Sequence, residues 1–308
     1  MVLKKVVIIG FFLIFGTIFL ISLKNKKNEN KLVQEVKVEE IAIPEVSEVN
    51  NEEEKVDFID RLFIFDSSKL PIVETIVYTS RVPWLKGRRA WIADYASHYK
   101  TTRHFIARSL NRKMDYDTQK IAFGDRFNVL KEGVSFYLLI DISKLKLFFY
   151  GIDEKENKRY LLKTYKVGLG RKDVTKESGT LTPLGKFSLG SKVAKYKTGI
   201  MGYFQDRQIE MVKIFGTRWI PFDKEVEKCS DMARGYGIHG APWKIDAKDG
   251  ILKEDRETVG KYDSDGCIRL YQEDIEEIFA IVISRPTIVE LIDDYKKACL
   301  PKEEVAIK

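Results

Sequence analysis

The 308 residues carry 53 Lys+Arg against 46 Asp+Glu, a formal net charge of +7, and 44% of the side chains are apolar. That composition excludes a chain disordered throughout, and the length suits one or two domains. Three cysteines (Cys229, Cys267, Cys299) are too few for a disulfide framework, and with only His98, His104 and His239 present, any imidazole base must be one of those three.

The N-terminal stretch Val6 to Leu23 holds eighteen residues without a charge, with Lys4 and Lys5 before it and Lys24, Lys26 and Lys27 after it. As a helix rising about 1.5 Å per residue it reaches roughly 27 Å, enough to cross a hydrocarbon core. It ends in Leu20-Ile21-Ser22-Leu23 and not in a small-residue cleavage site. Residues 1–23 are therefore expected to be an uncleaved transmembrane anchor. Taken alone, the downstream lysine excess directs the body of the protein to the cytoplasm. The short N-terminal tail weakens that argument, and the chemistry further along must decide the side.

Residues 24–61 are expected to be an acidic flexible tether. They hold many acids, one Pro and no sustained period, so they bury too little apolar area to offset chain entropy. Residues 1–61 carry nine basic and eleven acidic side chains, which leaves a balance of +9 on the rest of the chain. Such a surplus suits an anionic envelope polymer or a membrane surface. No Arg/Lys-rich helix or zinc-finger spacing accompanies it, so nucleic acid is not an expected partner.

A small α/β segment is expected over 76–131. Trp91 to Ala96 opens it, Phe105, Ile106 and Leu110 share one helix face, and Ile121 to Leu130 reads as a turn into a strand. The order of a threonine pair at Thr101-Thr102, a helix ending at Leu110-Asn111, then Gly124-Asp125 and Val129-Leu130 resembles the LysM module, over about forty residues. That resemblance implies binding of an N-acetylglucosamine-containing glycan; a small cap with no ligand is the alternative. His98 and His104 have no cysteine nearby and read as surface or half-buried residues, so no metal site is expected.

Beyond Glu132 the pattern becomes that of strands. Phe136 to Ile140 and Lys146 to Tyr150 flank a hairpin-like turn, and Tyr160 to Val167 leads to Gly168-Leu169-Gly170. Asp173 stands where a dinucleotide fingerprint needs its third glycine, and no nucleotide cofactor is expected. Strand signals continue to Gly240. Ile275, Ile278, Phe279 and Val282 mark one face of a late helix, and Pro286 to Leu291 reads as a last strand. The fold class is mainly β.

Two stretches can carry chemistry: Gly237-Ile238-His239-Gly240 and Ser264-Asp265-Gly266-Cys267-Ile268-Arg269. A thiol is a good acyl-transfer nucleophile once deprotonated, and histidine is the natural base for it. Glycines beside the thiol let the backbone turn and aim N–H groups at an oxyanion. From spacing alone, a Cys and a His twenty-eight positions apart are weak evidence, and a buried inert Cys is the commoner case.

Residues 136–293 resemble the L,D-transpeptidase (YkuD) catalytic domain. The match runs through His239-Gly240 and Ser264-x-Gly266-Cys267-Ile268-Arg269. It is supported by Ile140-Asp141, Val167-Gly168-x-Gly170, Thr182-Pro183-x-Gly185-x-Phe187 and Gly216-x-Arg218-Trp219-Ile220. The resemblance implies a β-sandwich-like domain with a C-terminal helix, followed by a tail over 294–308. It implies Cys267 as nucleophile, His239 as base, the Gly240 carbonyl as orienter of the imidazole, and N–H groups of Asp265, Gly266 and Cys267 as oxyanion hole. Arg269, Ser264, Arg218 and Trp219 are the implied substrate-binding residues, with Arg269 either on a stem carboxylate or in a structural ion pair. No cofactor is implied. The implied partners are peptidoglycan stem peptides, with the membrane reached through residues 6–23. The implied reaction releases D-Ala from a tetrapeptide stem and passes the acyl group to an amine, or to water. Its substrate lies outside the cytoplasm, so the resemblance opposes the lysine count and puts the catalytic domain on the outer side of the cytoplasmic membrane.

Two departures stand out. Asp265 occupies a place where the family usually has histidine; if that histidine serves mainly through its backbone N–H, little is lost, and if it tunes the thiolate, the Asp charge raises the pKa of the nearby thiol. The 24 residues between His239 and Ser264 exceed the usual spacing; Ala241 to Asp263 is either a lid or a solvated loop. Cys229 and Cys299 either pair in an oxidising compartment or stay free.

Overall fold

The computed structural model describes residues 56–113 and 120–307. The expected transmembrane anchor (1–23) and most of the expected tether lie outside those residues. Among the described residues, no helix is long and apolar enough to cross a membrane.

In chain order the elements are β1 (Val73–Val77), α1 (Ile92–His98), α2 (Arg103–Asn111), β2 (Arg126–Leu130), β3 (Val134–Asp141), β4 (Lys146–Asp153), β5 (Lys158–Lys166) and β6 (Leu169–Gly170). Then come β7 (Gly185–Leu189), β8 (Ala194–Lys195), the hairpin β9 (Met201–Phe204) and β10 (Arg207–Glu210), one-turn helix α3 (Val212–Phe215), β11 (Arg218–Glu227) and β12 (Gly237–Gly240). A second hairpin, β13 (Trp243–Ile245) and β14 (Leu252–Glu254), precedes β15 (Tyr262–Ser264), β16 (Ile268–Leu270), α4 (Gln272–Val282), β17 (Thr287–Ile292) and β18 (Glu303–Glu304).

The mainly β class holds. Where two stacked sheets were expected, hydrogen bonds join ten strands into one sheet, in the order β16-β12-β11-β7-β17-β3-β4-β5-β18 with β8 beside β11. The sheet curls around a single core. Ile220, Ile238, Ile268 and Leu270 from one end and Phe136, Leu138, Phe149 and Leu162 from the other share one apolar cluster with Ile275, Ile278, Phe279 and Val282 of α4. Alternate residues of the same strands point the other way and are also buried. Tyr137, Leu139, Phe148 and Tyr150 pack beneath Tyr295, Ala298 and Leu300. Strands covered on both faces read as continuous apolar runs, as β3 and β4 do.

That second layer revises the C-terminal tail. Residues 294–307 cover a sheet face, and β18 adds a parallel strand to β5. The expected tether also ends too late. Ile59, Leu62 and Phe63 are buried in the main core, and the Phe58 N–H donates to Leu162 O at 2.7 Å. The acidic composition of 24–61 averages over a window whose last residues are apolar, which is why the boundary was misplaced.

The small α/β segment begins at Val73, not at residue 76. β1 pairs antiparallel with β2, Val73 opposite Leu130 and Val77 opposite Arg126. The Thr102 hydroxyl accepts the Phe105 N–H at 3.3 Å and starts α2. Tyr78, Tyr95, Ile106, Phe127 and Val129 form its own small core, while Phe105 and Leu130 enter the main one. Buried polar groups tie it down. Arg108 pairs with Glu277 of α4 at 3.2 Å, and Arg285 donates to the carbonyls of Tyr99 and Leu130 at 3.1 and 2.8 Å. Glu277 also receives Lys163 at 2.6 Å and the Tyr165 hydroxyl at 2.8 Å.

Candidate active site

Strands β12 and β16 run side by side and parallel, with Ile238 opposite Ile268 and His239 opposite Arg269. Side chains alternate along a strand, so His239 and Arg269 share one face; Cys267 directly precedes β16, with its thiol near Gly235 O and the Gly237 N–H at the start of β12. The pairing of β12 with β16 is thus what brings the two motifs together across twenty-eight positions of chain.

His239 is 4% exposed. The Phe215 ring meets its imidazole edge-on at 5.4 Å, and the Trp219 ring lies 5.9 Å away. Nδ1 is 2.7 Å from Gly240 O. A carbonyl only accepts, so Nδ1 carries the proton and Nε2 keeps a lone pair. Burial pushes the imidazole pKa down to about 3; the Gly240 contact opposes this, and the charge of Arg269 adds to it. The ring is neutral throughout the physiological range.

Cys267 is half-buried, and its thiol lies 3.6 Å from Gly235 O. Burial raises its pKa to about 11, the Gly237 N–H and Arg269 pull it back, and Asp265 pushes it up least of all. The expected effect of Asp265 has the right sign but is the smallest cause. Its carboxylate is already engaged, 2.7 Å from Arg171 Nη2.

The turn before the thiol is held from within. Ser264 Oγ donates to Cys267 O at 2.7 Å and accepts the Gly266 N–H at 3.1 Å. Thr182 Oγ1 accepts the Gly170 N–H at 2.7 Å and donates to Gly266 O at 3.1 Å. Gly266 has φ +116°, and a Cβ there would sit 2.5 Å from the Tyr236 ring. Both the left-handed backbone and the close aromatic require glycine. Gly237 is required for a different reason, since a Cβ would meet the Trp219 ring at 2.7 Å.

The geometry places each of the expected site residues. The Gly266 N–H is committed to Ser264, so it is not available to an oxyanion, whereas the N–H groups of Asp265 and Cys267 have no hydrogen-bond partner among the described residues. Ser264 is buried and clamps the turn. Arg218 is buried against α4, with Nη1 donating to Thr217 O at 2.8 Å and 3.5 Å from Glu276 Oε1. It supports β11 from behind. Arg269 takes the ion-pair alternative, with Asp263 as partner. Trp219 stays at the site through its contact with the His239 ring. Arg171, Thr182, Tyr236 and Phe215 were not singled out; Thr182 at least lay in a quoted motif, whereas nothing local marks Arg171.

The long insert after Gly240 forms the hairpin β13/β14 with a solvated tip, so neither an open loop nor a free flap describes it. Its base is fastened to α4: Glu254 accepts the Gln272 N–H at 2.5 Å, and Arg256 pairs with Glu273 at 2.7 Å. Cys229, Cys267 and Cys299 are all free thiols, and Cys229 Sγ donates to Lys186 O at 3.1 Å. His98 stacks on Trp84 at 4.2 Å, and His104 meets Phe279 edge-on at 5.8 Å.

The model of the YkuD family, the L,D-transpeptidase catalytic domain, matches residues 135–291, just over half of the chain. A putative L,D-transpeptidase, YqjB of Bacillus subtilis (strain 168), is 33% identical over 147 residues, covering 47% of this chain and 65% of that protein. The chain thus spans just under two thirds of that relative. Among solved structures, an L,D-transpeptidase from Mycobacterium tuberculosis H37Rv aligns with TM-score 0.31 and 16% identity over 56% of this chain and 74% of its own. The helical cell shape determining protein Pgp2 from Campylobacter jejuni aligns with TM-score 0.32 and 17% identity over 56% and 51%.

Proposed function

The chain belongs to the YkuD family of L,D-transpeptidase catalytic domains, and from that premise we propose that it is a peptidoglycan-remodelling cysteine L,D-transpeptidase. The observation that supports the reading is the pairing of β12 with β16, which brings the strand carrying an imidazole of fixed tautomer beside the strand that the thiol directly precedes. Thiol and imidazole are both neutral at rest, so the proton leaves Cys267 for His239 Nε2 as sulfur attacks the stem carbonyl. Gly240 holds the ring through Nδ1 while Nε2 becomes charged. The N–H groups of Asp265 and Cys267 receive the oxyanion. The proton on Nε2 passes to the departing D-Ala amine, leaving a thioester. An amine of a second stem resolves the thioester and restores the thiol.

In the same reading, residues 6–23 anchor the protein in the cytoplasmic membrane with the catalytic domain on the outer side. The positive balance of the folded part then faces an anionic wall. The segment preceding the catalytic domain takes the glycan strand, in keeping with its LysM-like sequence.

The test is to incubate the full chain with tetrapeptide-bearing muropeptides and follow products by mass spectrometry. Loss of D-Ala with dimer formation is the expected result. Loss of D-Ala alone identifies an L,D-carboxypeptidase. Binding without any reaction, unchanged in Cys267→Ala, identifies a non-catalytic anchor and overturns the enzyme reading. A C-terminal reporter active only in the cytoplasm overturns the topology.

A further inference from the structure

We propose that Arg171 and Asp265 together select the acceptor of the reaction, and that the acceptor they fit is an α-amino-acid centre bearing both an ammonium and a carboxylate. This rests on the transpeptidase reading of Cys267 and adds to it two side chains with no assigned role. Asp265 stands two residues before the thiol, in the turn fixed by Ser264 and Gly266. Its carboxylate meets Arg171 Nη2 at 2.7 Å, yet the two side chains are 71% and 60% exposed. An ion pair that open to water adds little stability. A ligand offering the complementary charges can therefore divide it at small cost.

Backbone hydrogen bonds hold the main chain of Arg171 against the strand that leads into the Asp265 turn, so both side chains start from fixed points beside the thiol. The Arg171 N–H donates to Ser264 O at 2.9 Å, and its carbonyl accepts the Leu181 N–H at 2.9 Å. Neighbouring cations are committed elsewhere, Arg269 to Asp263 and Arg218 to Thr217 O and Glu276. Arg171 faces solvent, as does Arg234 beside Gly235, but Arg171 is the guanidinium paired with Asp265, two residues from the thiol. A planar guanidinium takes a carboxylate on two N–H groups, and a carboxylate takes an ammonium. An amine one carbon away from a carboxylate spans the two sites.

The step balances without a further reagent. The bound ammonium loses one proton to solvent, and its nitrogen attacks the thioester carbon. The C–N bond forms, the C–S bond breaks, and the second proton passes through His239 Nε2 to the Cys267 sulfur. The products are an amide and the free thiol. Water carries neither charge and gains nothing from the pair, so the same two residues favour transfer over hydrolysis.

The experiment uses the full chain with a tetrapeptide-bearing donor and offers glycine or glycinamide as acceptor, reading exchange products by mass spectrometry. The quantity compared is the ratio of the two kcat/KM values within each variant, which cancels differences in folding and in donor acylation. In Arg171→Gln the preference for glycine is expected to fall about tenfold, the worth of a charge-assisted contact. Arg171→Lys, which keeps the charge, is expected to retain part of the preference. Asp265→Asn is expected to raise KM for both acceptors, because it withdraws the partner of the ammonium. An unchanged ratio in Arg171→Gln, with D-Ala still released, overturns the acceptor assignment and leaves the transpeptidase reading standing. Failure of the unmutated chain to release D-Ala with either acceptor overturns both.

Discussion

Cys267 and His239 are tuned by burial more than by charge, which fixes how each responds to pH. With the thiol pKa pushed up to about 11, only about one thiol in 10^4 is ionised at pH 7. Alkylation of Cys267 by iodoacetamide should therefore keep rising about tenfold per pH unit from pH 7 to 10, followed by mass spectrometry of the labelled peptide. A plateau below pH 8 contradicts this. Removing the charge in Asp265→Asn should speed labelling at pH 8 by no more than about threefold, since Asp265 is the weakest cause. His239 titrates the other way. Its pKa is about 3 when folded and near 6.5 when unfolded, so between those values the unfolded chain binds the extra proton. The contribution is complete above pH 6.5 and is lost as pH falls towards 3. At pH 5 the loss is about 2 kcal/mol, and in urea melts His239→Gln should flatten stability between pH 6.5 and 5. Ser264 carries a structural burden of similar size. Ser264→Ala strands the Gly266 N–H and the Cys267 carbonyl, and is expected to cost about 1–3 kcal/mol. A Ser264→Ala protein of unchanged urea midpoint contradicts the clamp.

At the scale of elements, α4 is the member that several parts of the structure share. Its Ile275, Ile278 and Phe279 face the core, a pattern visible in the sequence as one helical stripe. Its polar face was silent in the sequence, because partners from distant strands decide what each charge does. Glu276 faces Arg218 behind the histidine-bearing strand, and Glu277 receives Arg108, Lys163 and Tyr165. Glu277→Ala leaves two cations without their buried partner and should destabilise the protein by about 3–5 kcal/mol. Denaturation showing a change under 1 kcal/mol would contradict that account. The hairpin β13/β14 is a second case. Its sequence is charged and without a long period, and it reads as loop because two strands of three residues are too short to establish an alternation.

For the whole molecule, the described residues belong to one compact unit, Glu52–Lys308. A fragment starting at residue 72 removes Ile59, Leu62, Phe63 and Leu70 from the main core. It should melt at least about 10 °C below a fragment starting at residue 52, because four buried apolar side chains are worth several kcal/mol. Equal melting temperatures contradict the revised boundary. Short-range pattern in the sequence determined the mainly β class, the strands from β3 to β5, the apolar face of α4 and the two glycine-flanked motifs. These were legible because period, turn chemistry and glycine placement are properties of neighbouring residues. Other features depend on partners tens or hundreds of positions away, which no local window contains. The tertiary structure alone decided that β12 lies beside β16, that Ser264 clamps the turn before the thiol, that Arg218 packs against α4, and that the Gly266 N–H donates to Ser264. It also decided that the two ends of the described chain complete the core, and that Arg171 stands against Asp265 beside the thiol.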